Sequence, residues 1–213
     1  MNSRSSDRRA RVEQMRRAEQ ARERRSRILT LAVSGVVVAG LVGFGVFALD
    51  QEAEKKERRE AQAKAPIADE KSWDAQTLDR NHVETPVDYP MKPPVGGDHS
   101  PVWMNCDGDV YREPVPAENA VHSLEHGAVW VTYGGKASDA DVATLAAKVK
   151  KTPYSLMSPV PDQTGTITLS AWGKQLTVDG ADDPRVDRFF TKYVQGPQTP
   201  ERGAVCTGGV DRG

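Results

Sequence analysis

Two histidines and a carboxylate lie within one short stretch near the middle of the chain. His122 and His126 are four residues apart, Glu125 lies between them, and the whole chain contains four histidines. Residues i and i+4 share a face in a helix, and residues at even offsets share a face in a strand, so the two imidazoles point the same way in either structure. This spacing predicts a pair of side chains that can bind one metal ion.

The other two histidines lie upstream in the same predicted domain, so all four could converge on one site. We predict a metal site whose principal ligands are His122, His126 and His99 and which is completed by His82 or Glu125. Two histidines alone would hold a metal weakly, so the third must come from the proline-rich segment before the motif. In this prediction Glu125 either binds the metal or orients an imidazole as a hydrogen-bond acceptor.

The identity of the metal is left open between copper and zinc, since neutral imidazoles on the outside of a cell suit either. Met91, Met104 and Met157 are available as soft ligands for Cu(I). Methionine more often fills gaps in a core, so none of the three is counted as a ligand.

Two other functions compete with a plain metal-binding domain. His122-x-x-Glu125-His126 has the residue order of the inverted zinc peptidases, but those enzymes need it inside a long helix, whereas Gly127 and a predicted strand follow here. Ser123 lacks the G-x-S-x-G context of a hydrolase nucleophile. The remaining alternative is a non-catalytic envelope module that binds a protein or cell-wall partner and whose histidines are hydrogen-bonded to loop backbone.

A membrane span is predicted near the N-terminus. Residues 28–49 contain no charge and no proline, and a helix of that length, at ~1.5 Å per residue, crosses a ~30 Å hydrocarbon core. A cleaved signal peptide is the competing interpretation, but its apolar region would be about 7 to 15 residues long. Residues 1–27 carry ten arginines against four acids, and basic flanks stay in the cytoplasm, so the C-terminal part is predicted to be extracytoplasmic. The small residues Gly35, Ala39 and Gly43 could pair two spans in a homodimer.

The chain is therefore divided into a basic cytoplasmic tail (1–27), a transmembrane helix (28–49), a charged stalk or linker (50–71) and an extracytoplasmic domain (72–213). The segment from Ala65 onwards contains 21 acidic residues and only 14 lysines and arginines. Its net charge is therefore negative, which argues against nucleic acid as a partner. All 14 prolines follow the predicted span, so the first half of the domain should be irregular and built of loops. We expect Pro93-Pro94 and Gly96-Gly97 to turn this half inward and deliver His99.

The two cysteines are predicted to form a structural disulfide. Cys106 and Cys206 both lie on the predicted outer side, where an even count favours a bridge. Thiolate ligands or free thiols are the alternative, but neither a CxxC spacing nor a nearby activating base supports them. The bridge would join the proline-rich half to the C-terminal tail.

The second half of the domain predicts an α+β fold, with a small sheet and two packed helices. Ser138 should cap the first helix, which stops before Pro153. Asp183 should cap the second helix, which has Pro184 at its first position and ends at Gly196. The predicted strands are 128–133, 154–160, and a hairpin of 166–172 with 175–178. Trp130, Trp172 and Phe190 are predicted to be core residues.

Three pieces of the domain also match a familiar pattern: Pro93-Pro94-Val95-Gly96-Gly97-Asp98-His99, Val121-His122-Ser123-Leu124-Glu125-His126-Gly127 and Ala171-Trp172-Gly173. Together they resemble the bacterial family called domain of unknown function 3105, and the similarity covers residues 81–193. Members of that family, many from actinobacteria, are single-span envelope proteins anchored at the N-terminus. The resemblance implies no established activity, but it implies that all four histidines and Glu125 belong to the family pattern.

Overall fold

The computed structural model describes residues 15–17, 22, 24–25, 27, 41, 44, 47–52, 54–58, 61 and 65–211. Contacts divide the chain into two units, Met1–Arg58 and Arg59–Gly213, and the second contains all four histidines. Most of the predicted membrane span, including Gly35, Ala39 and Gly43, lies outside the described residues. Within the described residues no helix is both long enough and apolar enough to cross a bilayer.

A six-stranded mixed sheet organises the second unit. Its strands are β1 (Lys71–Ser72), β2 (Asp107–Val110), β3 (Val129–Tyr133), β4 (Ser155–Pro159), β5 (Ile167–Ala171) and β6 (Lys174–Val178). The spatial order is β1-β6-β5-β3-β4-β2. Strand β3 is parallel to β4 and antiparallel to β5, β2 is parallel to β4, and β6 and β1 continue the sheet in antiparallel pairs. The predicted α+β class is confirmed.

Three helices accompany the sheet in the part of this unit that the structure describes: α1 (Ala117–Glu125), α2 (Asp139–Val149) and α3 (Pro184–Tyr193). The capping predictions for the last two are confirmed, because the Ser138 side chain accepts from the backbone N–H of Asp141 and the Asp183 side chain from that of Arg185. The two predicted helices are present, and α1 is a third helix that was not predicted. Half of the buried residues of α1 are polar, so its sequence lacks the apolar periodicity that predicts an amphipathic helix.

The central strand β3 separates two hydrophobic clusters, because its successive side chains point to opposite faces of the sheet. Val129 and Val131 belong to a cluster that also contains residues of α2 and α3. Trp130 belongs to a second cluster, with Trp172 and with Leu124 of α1. The helix that carries the histidine motif therefore packs on the face of the sheet opposite to the other two helices. The predicted core positions Trp130, Trp172 and Phe190 are all buried.

The proline-rich segment 73–106 is irregular, as predicted. Its only strand-like features are two isolated bridges, which pair His82 with His99 and Met104 with Val210. Cys106 and Cys206 form the predicted disulfide, which closes a separation of 100 residues. The bridge fixes the C-terminal tail beside the second cluster, where both cysteines are buried.

Candidate metal centre

Helix α1 and the turn after it present the two motif histidines side by side. His122 lies in the last turn of α1, and His126 is its C-cap residue. Gly127 has a φ of 97°, a conformation that favours glycine, and it lets the chain turn directly into β3. The ring centroids of His122 and His126 are 4.6 Å apart. The predicted shared face of this pair is therefore confirmed.

The proline-rich segment brings the other two histidines to the same place. The backbone N–H of Val83 donates to the carbonyl of His99 at 2.8 Å, and the N–H of His99 donates to the carbonyl of Asn81 at 3.0 Å. Gly97, with a φ of 115°, turns the chain just before His99. The ring of His122 lies 4.9 Å from that of His82 and 4.9 Å from that of His99. All four imidazoles form one cluster.

The cluster is mostly buried. His99, His122, Glu125 and His126 each expose 4% or less of their surface, whereas His82 is exposed. Buried histidines and carboxylates need partners, since a polar group removed from water without a hydrogen bond is costly. The partners of these side chains therefore indicate what the cluster can do.

Three of the imidazoles are oriented in the same way, with Nδ1 against a backbone carbonyl. These contacts join His99 to Gly97 at 2.8 Å, His122 to Ser100 at 2.7 Å, and His126 to Val205 at 2.7 Å. A carbonyl oxygen only accepts, so each Nδ1 carries the proton and each neutral ring has its free lone pair on Nε2. Metal-binding histidines in proteins are usually fixed by this kind of contact.

The cluster includes a set of donors that we call the inner group: His82, His99, His122 and Glu125. One donor atom from each of these residues lies within 4.8 Å of all the others. His99 Nε2 is 2.9 Å from Glu125 Oε2, yet it makes no aligned hydrogen bond. A lone pair and a carboxylate oxygen this close need a cation between or beside them, either a proton or a metal ion. The donor set of imidazoles and one carboxylate fits zinc or copper.

A second set of donors, which we call the outer group, consists of His122, His126 and Glu201. His126 Nε2 lies 3.8 Å from Glu201 Oε2, and the Glu201 side chain is 50% exposed. Sequence reasoning placed His126 with His99 and missed Glu201. Glu201 lies in a loop far along the chain, and no spacing or motif marks it.

The electrostatics of the cluster keep two of its imidazoles neutral. Burial, together with the nearby His126, His99 and His82, lowers the pKa of His122 to about 4 against the opposing effect of the Ser100 carbonyl. Burial also lowers the pKa of His126, although the Val205 carbonyl and Glu201 oppose this shift. Both rings are therefore ready to ligate at neutral pH, because a metal binds the neutral imidazole.

The contact between His99 and Glu125 favours the charged form of each side chain. Burial opposes protonation of His99, but Glu125, the Gly97 carbonyl and Asp98 outweigh it and raise the pKa of His99. Burial likewise opposes ionisation of Glu125, but contact with His99 and the charge of Arg80 outweigh it and lower the pKa of that carboxyl. A metal ion at the inner group would compete with a proton for His99 Nε2, and Glu125 would serve as its counter-charge.

Two further neighbours of the cluster were not predicted. Arg80 Nη1 lies 3.9 Å from Glu125 Oε1, and the Trp103 ring packs 5.0 Å from His126 and 5.7 Å from His122. The C-terminal end of α1 also points its partial negative charge at this region, which favours a cation.

The other residues considered from the sequence lie elsewhere. Met104 and Met157 are fully buried in the two hydrophobic clusters, and the disulfide removes the cysteines as thiolate ligands. The Ser123 hydroxyl donates to the carbonyl of Met104. The H-x-x-E-H motif lies at the end of a nine-residue helix. The inverted zinc peptidases need this motif inside a long helix, so the helix does not match theirs.

The comparisons with known proteins gave one match. A family model described as "Protein of unknown function (DUF3105)" matches residues 82–208. This range includes the inner group, the outer group and both cysteines. Neither the curated proteins nor the solved structures contained a match to the chain.

Proposed function

We propose a function for this chain, which belongs to the DUF3105 family of proteins of unknown function, from the chemistry of its histidine cluster. The domain binds one transition-metal ion, copper or zinc, through His99, His122 and Glu125, with His82 as the ligand nearest to solvent. The geometry supports this proposal, since one donor atom from each of these four residues lies within 4.8 Å of all the others.

The orientation of the buried histidine rings is the main support for metal binding. Three buried rings hold their Nδ1 protons against carbonyls, and His99 Nε2 lies 2.9 Å from a carboxylate oxygen of Glu125 without an aligned hydrogen bond. Histidines that only complete a polar core would satisfy both ring nitrogens with donors and acceptors. An arrangement that fixes one nitrogen and leaves the other facing a carboxylate suits a cation.

The same proposal places the domain outside the cytoplasmic membrane, attached by a single N-terminal span. Its support is the uncharged stretch 28–49 behind a basic flank. In addition, the large apolar side chains described in that stretch, Leu41, Phe44, Phe47 and Leu49, are all at least 60% exposed. A disulfide also suits an oxidising compartment. An extracytoplasmic metal site would meet ions arriving from outside the cell.

The test is calorimetric titration of the untagged full-length chain, in mild detergent, with Zn²⁺ and Cu²⁺. The comparison variant is His99→Asn with His122→Asn, because the asparagine amide can replace the Nδ1–H that donates to a carbonyl. Glu113→Gln, a change at an exposed acid, is the control beside Glu125→Gln. The parent and Glu113→Gln should bind one ion, and the other two variants should bind at least about tenfold more weakly. A parent that binds neither metal better than the double variant would leave the histidines with a structural role.

A further inference from the structure

We propose that the outer group is a second metal position, through which the ion passes as it enters and leaves the inner group. The inference rests on the proposed function, since it concerns the same ion. It adds Glu201 and His126 as residues that act on the way to the final site.

The two groups cannot both be complete at once. His122 belongs to each of them, and its Nδ1 is already held by the Ser100 carbonyl at 2.7 Å. Only Nε2 remains, and one imidazole lone pair binds one metal ion. The chain therefore holds a single ion with two alternative positions, and His122 is the ligand common to both.

The exchange between the positions conserves charge at the metal. The bonds from His126 Nε2 and the Glu201 carboxylate break while those from His99 Nε2 and the Glu125 carboxylate form, so a carboxylate replaces a carboxylate. His99 binds through the lone pair of Nε2 and keeps its Nδ1 proton on the Gly97 carbonyl, and any proton on Nε2 leaves to solvent as the ring binds. The ion stays bound to His122 throughout and never has to return fully to water.

The outer group is more accessible to solvent than the inner group, because its carboxylate is partly exposed. The Glu201 side chain is 50% exposed, whereas Glu125 is 2% exposed. His82 also reaches solvent, but it offers a single imidazole, while the outer group offers a carboxylate together with two imidazoles. An arriving cation is therefore held first at Glu201.

The position of Glu201 is built by the fold. The last carbonyls of a helix lack partners within it, and around the end of α1 the loop 195–201 supplies them. The backbone N–H of Glu201 donates to the carbonyl of Glu125 at 3.0 Å, and that of Gln195 donates to the carbonyl of Gly127 at 3.0 Å. The Gln195 amide also donates to the carbonyl of His126 at 2.6 Å. The loop is thus fixed to the same turn that carries the histidines.

The disulfide secures the same arrangement from the other side. The Val205 carbonyl that accepts from His126 Nδ1 comes directly before Cys206, which is bonded to Cys106. The backbone N–H of Cys106 also donates to the carbonyl of Cys206 at 2.8 Å. Both residues added by this proposal, His126 and Glu201, are therefore oriented by one anchored segment.

The experiment is stopped-flow binding of Co²⁺ to the full-length chain, followed by its visible absorption. Dissociation into excess chelator is measured at several chelator concentrations and extrapolated to zero. The variants are Glu201→Gln and His126→Asn, and Glu113→Gln is the control for loss of an exposed charge. A residue that binds the ion only at the outer position stabilises an intermediate of both association and dissociation. Its loss should therefore slow both rates, by roughly tenfold, and leave the Kd unchanged.

Each other outcome overturns the proposal in a distinct way. Faster dissociation with a weaker Kd would make Glu201 a ligand of the final site. Slower association alone, with a weaker Kd, would reduce its role to long-range attraction. Rates equal to those of Glu113→Gln would give the outer group no role, while metal binding by the parent would still support the proposed function. A parent that binds no Co²⁺, Zn²⁺ or Cu²⁺ would refute both.

Discussion

Removing the titratable group of His122 should make the metal-free domain more resistant to acid. In the folded chain His122 is 4% exposed, and burial, with the neighbouring imidazoles, lowers its pKa to about 4. In the unfolded chain the pKa of a histidine is about 6.5. The variant His122→Asn keeps a donor for the Ser100 carbonyl and has no proton to gain.

The magnitude follows from the difference between the two pKa values. Above pH 6.5 the ring is neutral in both states and its contribution to stability is complete. Between pH 6.5 and about 4 the unfolded chain takes up a proton that the folded chain refuses, so stability falls as the pH falls. A difference of about 2.5 pH units corresponds to a loss of about 3 kcal/mol in the free energy of unfolding. His122→Asn should lose about 3 kcal/mol less than the parent across this window.

Urea unfolding in the presence of a chelator measures this difference. All four tryptophans, Trp73, Trp103, Trp130 and Trp172, lie in the second unit, so their fluorescence reports the unfolding of that unit. Both proteins should be compared at several pH values from about 7 to 4. Equal loss of stability in the parent and the variant would refute the assignment of His122 as a buried neutral imidazole.

Four other outcomes are expected. Zn²⁺ affinity, measured by competition with a chelator, should fall as the pH drops, with a midpoint above 6.5, because Glu125 raises the pKa of His99 and its proton competes with the metal. Replacing both cysteines by serine should lower the free energy of unfolding by up to about 4 to 5 kcal/mol, the chain-entropy value for a loop of about 100 residues, as measured by urea unfolding. Gly127→Ala should cost about 1 to 3 kcal/mol in the same assay, because φ is 97° and the added Cβ would press on Gln195 and Thr199. Protease added to intact cells or spheroplasts should digest the domain and spare the arginine-rich tail; protection of the domain would reverse the proposed topology.

The elements predicted from sequence are those whose signals are local. Helices α2 and α3 have capping residues and an apolar face. The strands β3 to β6 each contain apolar or β-branched residues and are bounded by turn residues. Helix α1 has neither signal, because Pro116 offers no side-chain cap and its buried residues include His122, Ser123 and Glu125. The edge strands β1 and β2 are short and largely unburied, so no alternation marks them.

The histidines of the candidate site could be identified from the sequence because histidine is rare in this chain. The chain has four histidines in one predicted domain, and the i,i+4 pair with a turn-rich segment upstream allowed them to converge without showing that they do. Glu201 could not be found in this way, because its place beside His126 depends on hydrogen bonds between a distant loop and the end of α1. The division of the donors into two groups that share His122 likewise depends on ring orientations set by tertiary carbonyl contacts.

Long-range ¹H–¹⁵N NMR of the imidazole rings tests the proposed metal function most directly, since an untagged chain gives signals from only four histidines. Without metal, His122 and His126 should carry their proton on Nδ1, as their carbonyl contacts require. One equivalent of Zn²⁺ should move the Nε2 resonances of His99 and His122 to the metal-bound range, while their Nδ1 atoms stay protonated. Nε2 resonances that do not change at saturating Zn²⁺ would contradict the metal site.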